Sequence, residues 1–314
     1  MLFNMGGGGR TRFEYKIDSD GKWVSISADG TFTFPTIDSE GNVADTSLLT
    51  HGANSTERNW LSNCIQAIMT LYKHVVIPDY YTTVQLVPYT SWQFCDKLAL
   101  EHLYIGAQVI SFPAYNQIEN NLTMVELPNA NVNNWDPGAE LACSNGARTK
   151  DITIYAPHVK NFGGYWTSNG QTYGVIPIVP EATRIGGTNG AQCFNRYWKS
   201  CSLLFQSCTE IIQIEQGIEE QTMRFPKLTT CTNNNQFRQD WSHGKFIWCV
   251  GKDLTSFAAQ IATNINNAAG QIEVHIPAGA STTLTTLQTA GVNSQYIYQD
   301  YGTDLYPEDA QYFS

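Results

Sequence analysis

Six histidines (His51, His74, His102, His158, His243 and His275) and eight cysteines (Cys64, Cys95, Cys143, Cys193, Cys201, Cys208, Cys231 and Cys249) are the side chains best suited to hold a metal or move a proton. No two histidines stand at ligand spacing, and no C-x-x-C pair occurs. The tightest cysteine group, Cys193, Cys201 and Cys208, is too widely spaced for a zinc knuckle. The even cysteine count allows a disulfide framework, but apolar contexts such as Phe94-Cys95 and Trp248-Cys249 favour buried free thiols. Asp240-Trp241-Ser242-His243 brings together three residue types of a hydrolytic triad, yet such triads are assembled across a fold, not along adjacent positions. Glu219-Glu220 and Glu308-Asp309 are carboxylate pairs of the kind that cleave glycosides, but neighbours on a strand point to opposite faces. Gly6, Gly7, Gly8 and Gly9, followed by Arg10-Thr11, lack the lysine and the preceding strand of a phosphate loop. With Phe3 they read as an attachment segment, a tether or a surface for close packing on a partner. The expectation is a protein without catalytic residues, metal site or cofactor.

The aromatic residues are more suggestive. Trp92, Tyr115, Trp135, Tyr165, Trp166, Trp198 and Trp241 all fall between strand-like runs. One reading buries them in a wide core. The other lines a face with them for contact with a glycan or a protein, since Trp and Tyr dominate binding hot spots.

The elements that would position these residues follow from periodicity. Phe13–Ile17, Lys22–Ile26 and Thr31–Phe34 alternate and are separated by D-G signals, predicting a small β-meander within an attachment segment, residues 1–50. Residues 54–72 carry Trp60, Cys64, Ile65, Ile68 and Leu71 at helical spacing behind an Asn54/Glu57 capping box. From His74 a short strand-like run recurs, often closed by proline: 74–78, 103–106, 125–128, 152–157 and 175–180, then 212–215, 246–250 and 273–277. Proline cannot donate to a ladder and turns the chain away. Repetition at about 20–30 residues is the mark of a solenoid whose coils bury their apolar sides by stacking. Leu254, Phe257, Ala258, Ile261 and Ile265 fit a helix capped by Asp253, and 281–290, closed by Gly291, fits a second. The expected architecture is an α+β repeat protein: a solenoid over 51–290 with short stacked strands and helical caps. Its C-terminal tail, 291–314, is acidic and tyrosine-rich, and would serve as a covering strand or a docking segment.

The repeats resemble the leucine-rich repeats of the BspA type. The pieces that carry the resemblance are Phe94-Cys95-Asp96-Lys97-Leu98 before Leu103, Phe205-Gln206-Ser207-Cys208-Thr209-Glu210-Ile211 before Ile212, and Phe225-Pro226-Lys227-Leu228-Thr229-Thr230-Cys231. That resemblance implies a binding scaffold of gut-bacterial surface proteins or of tailed-phage virions.

Charge narrows the partners. The formal net charge is −10 with no Lys/Arg run, so phosphate neutralisation cannot drive binding and nucleic acid is not an expected partner. Only 15% of residues are charged, against roughly 25% in an average soluble domain, and Asn, Thr, Gln and Ser replace them. No run of 18 apolar residues predicts membrane insertion, and the N-terminus lacks the basic and apolar regions of a standard export signal. The texture fits a non-enzymatic structural protein of a tailed-phage virion, on tail or capsid surface and in multiple copies. It would bind other virion proteins through residues 1–50 and a host-surface protein or glycan through the array. A bacterial cell-surface adhesin and a polysaccharide-active enzyme on a repeat scaffold are the two alternatives.

Overall fold

The computed structural model describes residues 30–34, 68, 71–85, 99–111, 122–130, 152–162, 175–186, 202–212, 221–232 and 245–313. These residues form a parallel β-solenoid. One row of strands makes its main wall: Thr31–Thr33, His74–Ile77, His102–Ile105, Met124–Glu126, Ile152–Tyr155 and Val175–Ile178 pair in that order. Ser202–Leu204, Gln221–Phe225, Phe246–Val250, Ile272–His275 and Ile297–Tyr298 form a second sheet along the same wall. A second row of shorter strands lines another side. It contains the pair Thr83–Gln85 and Val109–Ser111, and the ladder Asn161–Phe162, Arg184–Ile185, Glu210–Ile211, Thr230–Cys231 and Ser256–Phe257.

Register explains why the sequence folds this way. From His74 onward, partners on the main wall lie between 20 residues apart (Leu203 and Met223) and 29 apart (Val125 and Ile154), while Phe32 and Val75 are 43 apart. Parallel stacking puts equivalent residues in columns, so Val75, Leu103, Val125, Ile154 and Pro177 stand in one inward column. Inside each coil the buried residues follow a fixed rhythm: Ile154, Ala156, Val159, Phe162; Leu203, Phe205, Cys208, Ile211; Met223, Phe225, Leu228, Cys231. Two residues apart is strand alternation, and the two following steps of three carry the chain round the corner into the second row.

Pro177 sits inside its strand. The carbonyl of neighbouring Ile178 accepts from the Ala156 amide of the coil before, so Pro177 faces the coil after. Its missing N–H therefore falls where Ser202–Leu204 would pair, and the main wall divides into two sheets there. The second row runs on across this seam, with Arg184 in register with Glu210. A threonine ladder reinforces it. Thr209, Thr229 and Thr255 each donate both backbone N–H and Oγ1 to the carbonyl of the preceding threonine (Thr183, Thr209 and Thr229), at 2.8–3.2 Å.

The structure corrects several sequence expectations. The run 212–215 is not the strand of its coil: Ile212 follows the short strand Glu210–Ile211, and Gln213 to Glu215 lie outside the described residues. The wall strand is Ser202–Leu204, so the aromatic–cysteine step from Phe205 to Ile211 follows its strand instead of preceding one. Gln221–Phe225, not singled out by its polar alternation, is a wall strand with Phe225 at its end. Thr31–Thr33, expected in a meander, pairs in parallel with His74–Ile77, and the other runs of residues 1–29 lie outside the described residues. Asp253 does not cap a helix: Ser256–Phe257 is a second-row strand, and the helix spans Ala259–Asn267 behind Ala258. Its sequence signal merged a strand with a helix because both bury apolar residues three or four apart. Of the helix expected at 54–72 only Ile68, Leu71 and Tyr72 are described, Ile68 and Leu71 being helical.

The helix Ser281–Thr289 takes the place of a second-row strand. Thr283 is fully buried: its Oγ1 accepts from the Leu254 amide (3.1 Å) and donates to the Gly251 carbonyl (2.7 Å), while Thr286 donates to the Leu254 carbonyl. Close coil stacking has its own signature at Gly251, where any Cβ would run into the Pro226 carbonyl of the preceding coil. Gly251→Ala is expected to destabilise the protein by about 1–3 kcal/mol in urea unfolding, since two backbones, not a flexible side chain, must yield.

Candidate binding surfaces

Strand alternation that buries one column exposes its neighbours. On the main wall Val76, Tyr104, Glu126, Tyr155 and Ile178 are in register and face outward, and Leu204, Arg224, Cys249, His275 and Tyr298 continue this column by the same alternation. Tyr155 and Ile178 are 36% and 42% exposed. Beside them run His74, His102, Met124, Thr153 and Ile176. The amino-proximal part of the wall thus presents apolar and aromatic side chains to solvent, with His102 Nε2 and Glu126 Oε2 3.2 Å apart among them.

The carboxy-proximal part of the same face is covered by the chain itself. Ile297–Tyr298 adds a rung to the wall, and the segment after it folds back. Asp309 is fully buried and accepts from Arg224 Nη1 on both oxygens (3.0 and 3.1 Å) and from the Tyr301 hydroxyl (2.9 Å). The Arg224 guanidinium also meets Glu308 at 3.1 Å and lies 4.3 Å over the Tyr306 ring. Burial pushes the Asp309 carboxyl up, opposed by the Tyr301 hydroxyl and Arg224, and burial pushes the Tyr301 hydroxyl up as well. Two coils on from Arg224, His275 Nδ1 is 2.6 Å from Asp300, its Nε2 is 3.3 Å from Glu273, and its ring stacks on Tyr298 at 4.8 Å. The acidic, tyrosine-rich tail is a clasp across the wall.

Glu273 gives that clasp a pH dependence. Burial raises its carboxyl, but hydrogen bonds from Lys245 (2.6 Å) and His275 outweigh this and hold it below its ordinary value of about 4.5. A depressed carboxylate stabilises the fold above its ordinary value, and the contribution disappears as pH falls through that value toward the depressed one. Amide exchange of 272–275 is therefore expected to accelerate below about pH 4.5, and Glu273→Gln to remove that component of the pH profile.

Cross-coil ion pairs among the described residues share one polarity. Lys73–Glu101 (2.8 Å), Lys160–Glu181, Arg184–Glu210 (3.0 Å) and Lys245–Glu273 all place the cation in one coil and the glutamate in the next. Exposed pairs contribute only about 0–1 kcal/mol each, so they act on register more than on stability.

Across the coils that carry Met124–Glu126, Ile152–Tyr155 and Val175–Ile178, a cavity of about 330 Å³ opens. Among the described residues, Gln108, Asn129, His158, Lys160 and Glu181 line it. The Asn129 amide nitrogen donates to the Gly106 carbonyl at 2.9 Å. Glu181 takes His158 Nδ1 on one oxygen (3.0 Å) and Lys160 on the other, and these hydrogen bonds hold its carboxyl below the usual range.

No protein-family model, no curated protein and no solved structure matches this chain.

The residues singled out from sequence lie elsewhere. Trp92, Tyr115, Trp135, Tyr165, Trp166, Trp198 and Trp241, and the attachment residues Phe3, Gly6, Gly7, Gly8 and Gly9, are outside the described residues. The outward residues Tyr104, Tyr155 and Ile178 went unremarked, although their places between buried strand positions mark them. Among the described residues no group of three or more His, Cys, Asp or Glu side chains is arranged to hold a metal. Cys208, Cys231 and Cys249 are free and buried, and burial pushes all three thiols up. Iodoacetamide labelling followed by peptide mapping is expected to modify these three only after denaturation.

Proposed function

We propose that the chain is a non-enzymatic binding and assembly protein of a tailed-phage virion, built on BspA-type leucine-rich repeats. In this reading residues 1–50 join it to other virion proteins and the solenoid faces outward, in several copies per particle, toward a host-surface protein or glycan. The C-terminal helices and clasp cap the array, which makes the whole an α+β repeat protein. One observation carries the proposal: the main wall offers a run of parallel strands with Tyr155 and Ile178 exposed in the same column as Tyr104. Rigid apolar and aromatic groups on stacked strands suit extended contact at little entropic cost. Several chemistry-bearing side chains among the described residues are engaged in stacking: His102, His158 and Lys160 pair across coils, and His275 and Arg224 hold the clasp. Peptide mass spectrometry of purified phage particles tests the proposal. The protein is expected in stoichiometric amount with other structural proteins, and its absence from particles overturns the virion assignment.

A further inference from the structure

His275 is held between two carboxylates from different parts of the chain. Glu273 belongs to the same wall strand, Ile272–His275, and Asp300 to the clasp segment that follows Ile297–Tyr298. Nδ1 lies 2.6 Å from Asp300 Oδ1, and Nε2 lies 3.3 Å from Glu273 Oε2. The Tyr298 ring stacks on the imidazole at an interplanar angle of 13°, and only 7% of the histidine side chain is exposed. The described chain runs unbroken from Lys245 to Phe313 around this ring.

One proton decides how this ring binds. An ionised carboxylate can only accept, while a neutral imidazole offers one N–H and one bare nitrogen. Both contacts are hydrogen bonds at the same time only when each ring nitrogen carries a proton. In that state Lys245 and His275 balance the charges of Glu273 and Asp300. With a neutral ring the cluster holds one negative charge in excess, and a lone pair faces a carboxylate where little water screens it. The neighbouring groups respond to pH in other ways. Cys249 stands in register with His275, and burial pushes its thiol up, as burial does first for the hydroxyls of Tyr298 and Tyr301. Next to Cys249, Arg224 holds Asp309 and Glu308. Burial raises the Asp309 carboxyl, so rising pH charges it and tightens its pair with Arg224. At His275 rising pH works the opposite way, because it removes the cation that Asp300 faces.

We propose that His275 is a proton-operated latch: doubly protonated, it ties Asp300 of the clasp to the wall strand beside Glu273, and loss of one proton makes residues 299–313 lift from the wall more often. The latch rests on the geometry of the clasp and goes beyond the virion reading. It sets how much of the outward column past Leu204, namely Arg224, Cys249 and His275 itself, is open to solvent.

Two measurements on the full chain test it across one pH series. Nitrogen-15 NMR of the imidazole follows the protonation of His275. Hydrogen exchange of 299–313, expressed as protection relative to the intrinsic rate at each pH, follows the clasp, with the second-row strand Thr230–Cys231 as control. Clasp protection is expected to fall about tenfold as pH rises, the difference between a charge-assisted and a neutral hydrogen bond. Its midpoint should coincide with the titration of the ring, and the control strand should keep its protection. His275→Gln is expected to remove the step. Asp300→Asn leaves the histidine on its strand and takes away the anion on the clasp side, so the ring should still titrate while the step disappears. If His275→Gln does not fold, Asp300→Asn decides. A ring that titrates in the unaltered protein without any change in clasp protection overturns the latch. So does a step that survives Asp300→Asn, or protection that rises with pH, which would give control of the clasp to Asp309.

Discussion

Asp309→Ala is expected to destabilise the carboxy-terminal coils by about 3–5 kcal/mol, the penalty for removing one partner of a buried ion pair. The magnitude follows from what is left behind. Arg224, whose side chain is 13% exposed, would keep the Tyr306 ring and, as its carboxylate, Glu308, which is 60% exposed and solvated. The fully buried Tyr301 hydroxyl would lose its acceptor. Asp309→Asn keeps an acceptor for Tyr301 and should lose less. Guanidinium unfolding followed by tyrosine fluorescence measures the loss. Alkylation of Cys249 gives a second readout, because a lifted clasp uncovers that thiol while Cys208 and Cys231 stay protected within the coils. A variant within 1 kcal/mol of wild type, with Cys249 still unreactive, would mean that the clasp does not hold the wall.

Trp248→Ala should cost about as much, roughly 3–5 kcal/mol, for a different reason. Trp248 is the largest fully buried side chain among the described residues, with its ring 5.9–6.1 Å from those of Phe225, Phe246 and Phe257. It stands in register between Met223 and Val274, so its removal opens a void that three coils share and that stacked strands cannot close without losing register. Trp248→Phe fills much of that space and should cost less. Because each coil touches mainly its neighbours, hydrogen exchange should quicken around 221–275 and change little near 74–105.

Much of the architecture was legible in the sequence because a solenoid repeats its physics. Val75-Val76-Ile77, Leu103-Tyr104-Ile105 and Ile152-Thr153-Ile154 are rich in β-branched, aromatic and aliphatic residues, and each lies in a strand at or within a residue of its expected place. Legibility failed where the pattern was carried by other chemistry. Gln221–Phe225 has Met223 and Phe225 inward, but its outward Thr222 and Arg224 made the run look polar. The clasp could not be read at all, since Arg224 and Asp309 are 85 residues apart and nothing local signals their pairing. The cavity beside Asn129 was equally hidden, because Gln108, Asn129, His158, Lys160 and Glu181 are ordinary turn residues in four coils and only coil stacking brings them together.

The shared polarity of the cross-coil pairs gives the stack a heading that charge alone can read. Lys73, Lys160, Arg184 and Lys245 each reach a glutamate of the following coil: Glu101, Glu181, Glu210 and Glu273. Every such rung has a leading and a trailing edge, and a coil that slides along its neighbour by one position parts a cation from its carboxylate.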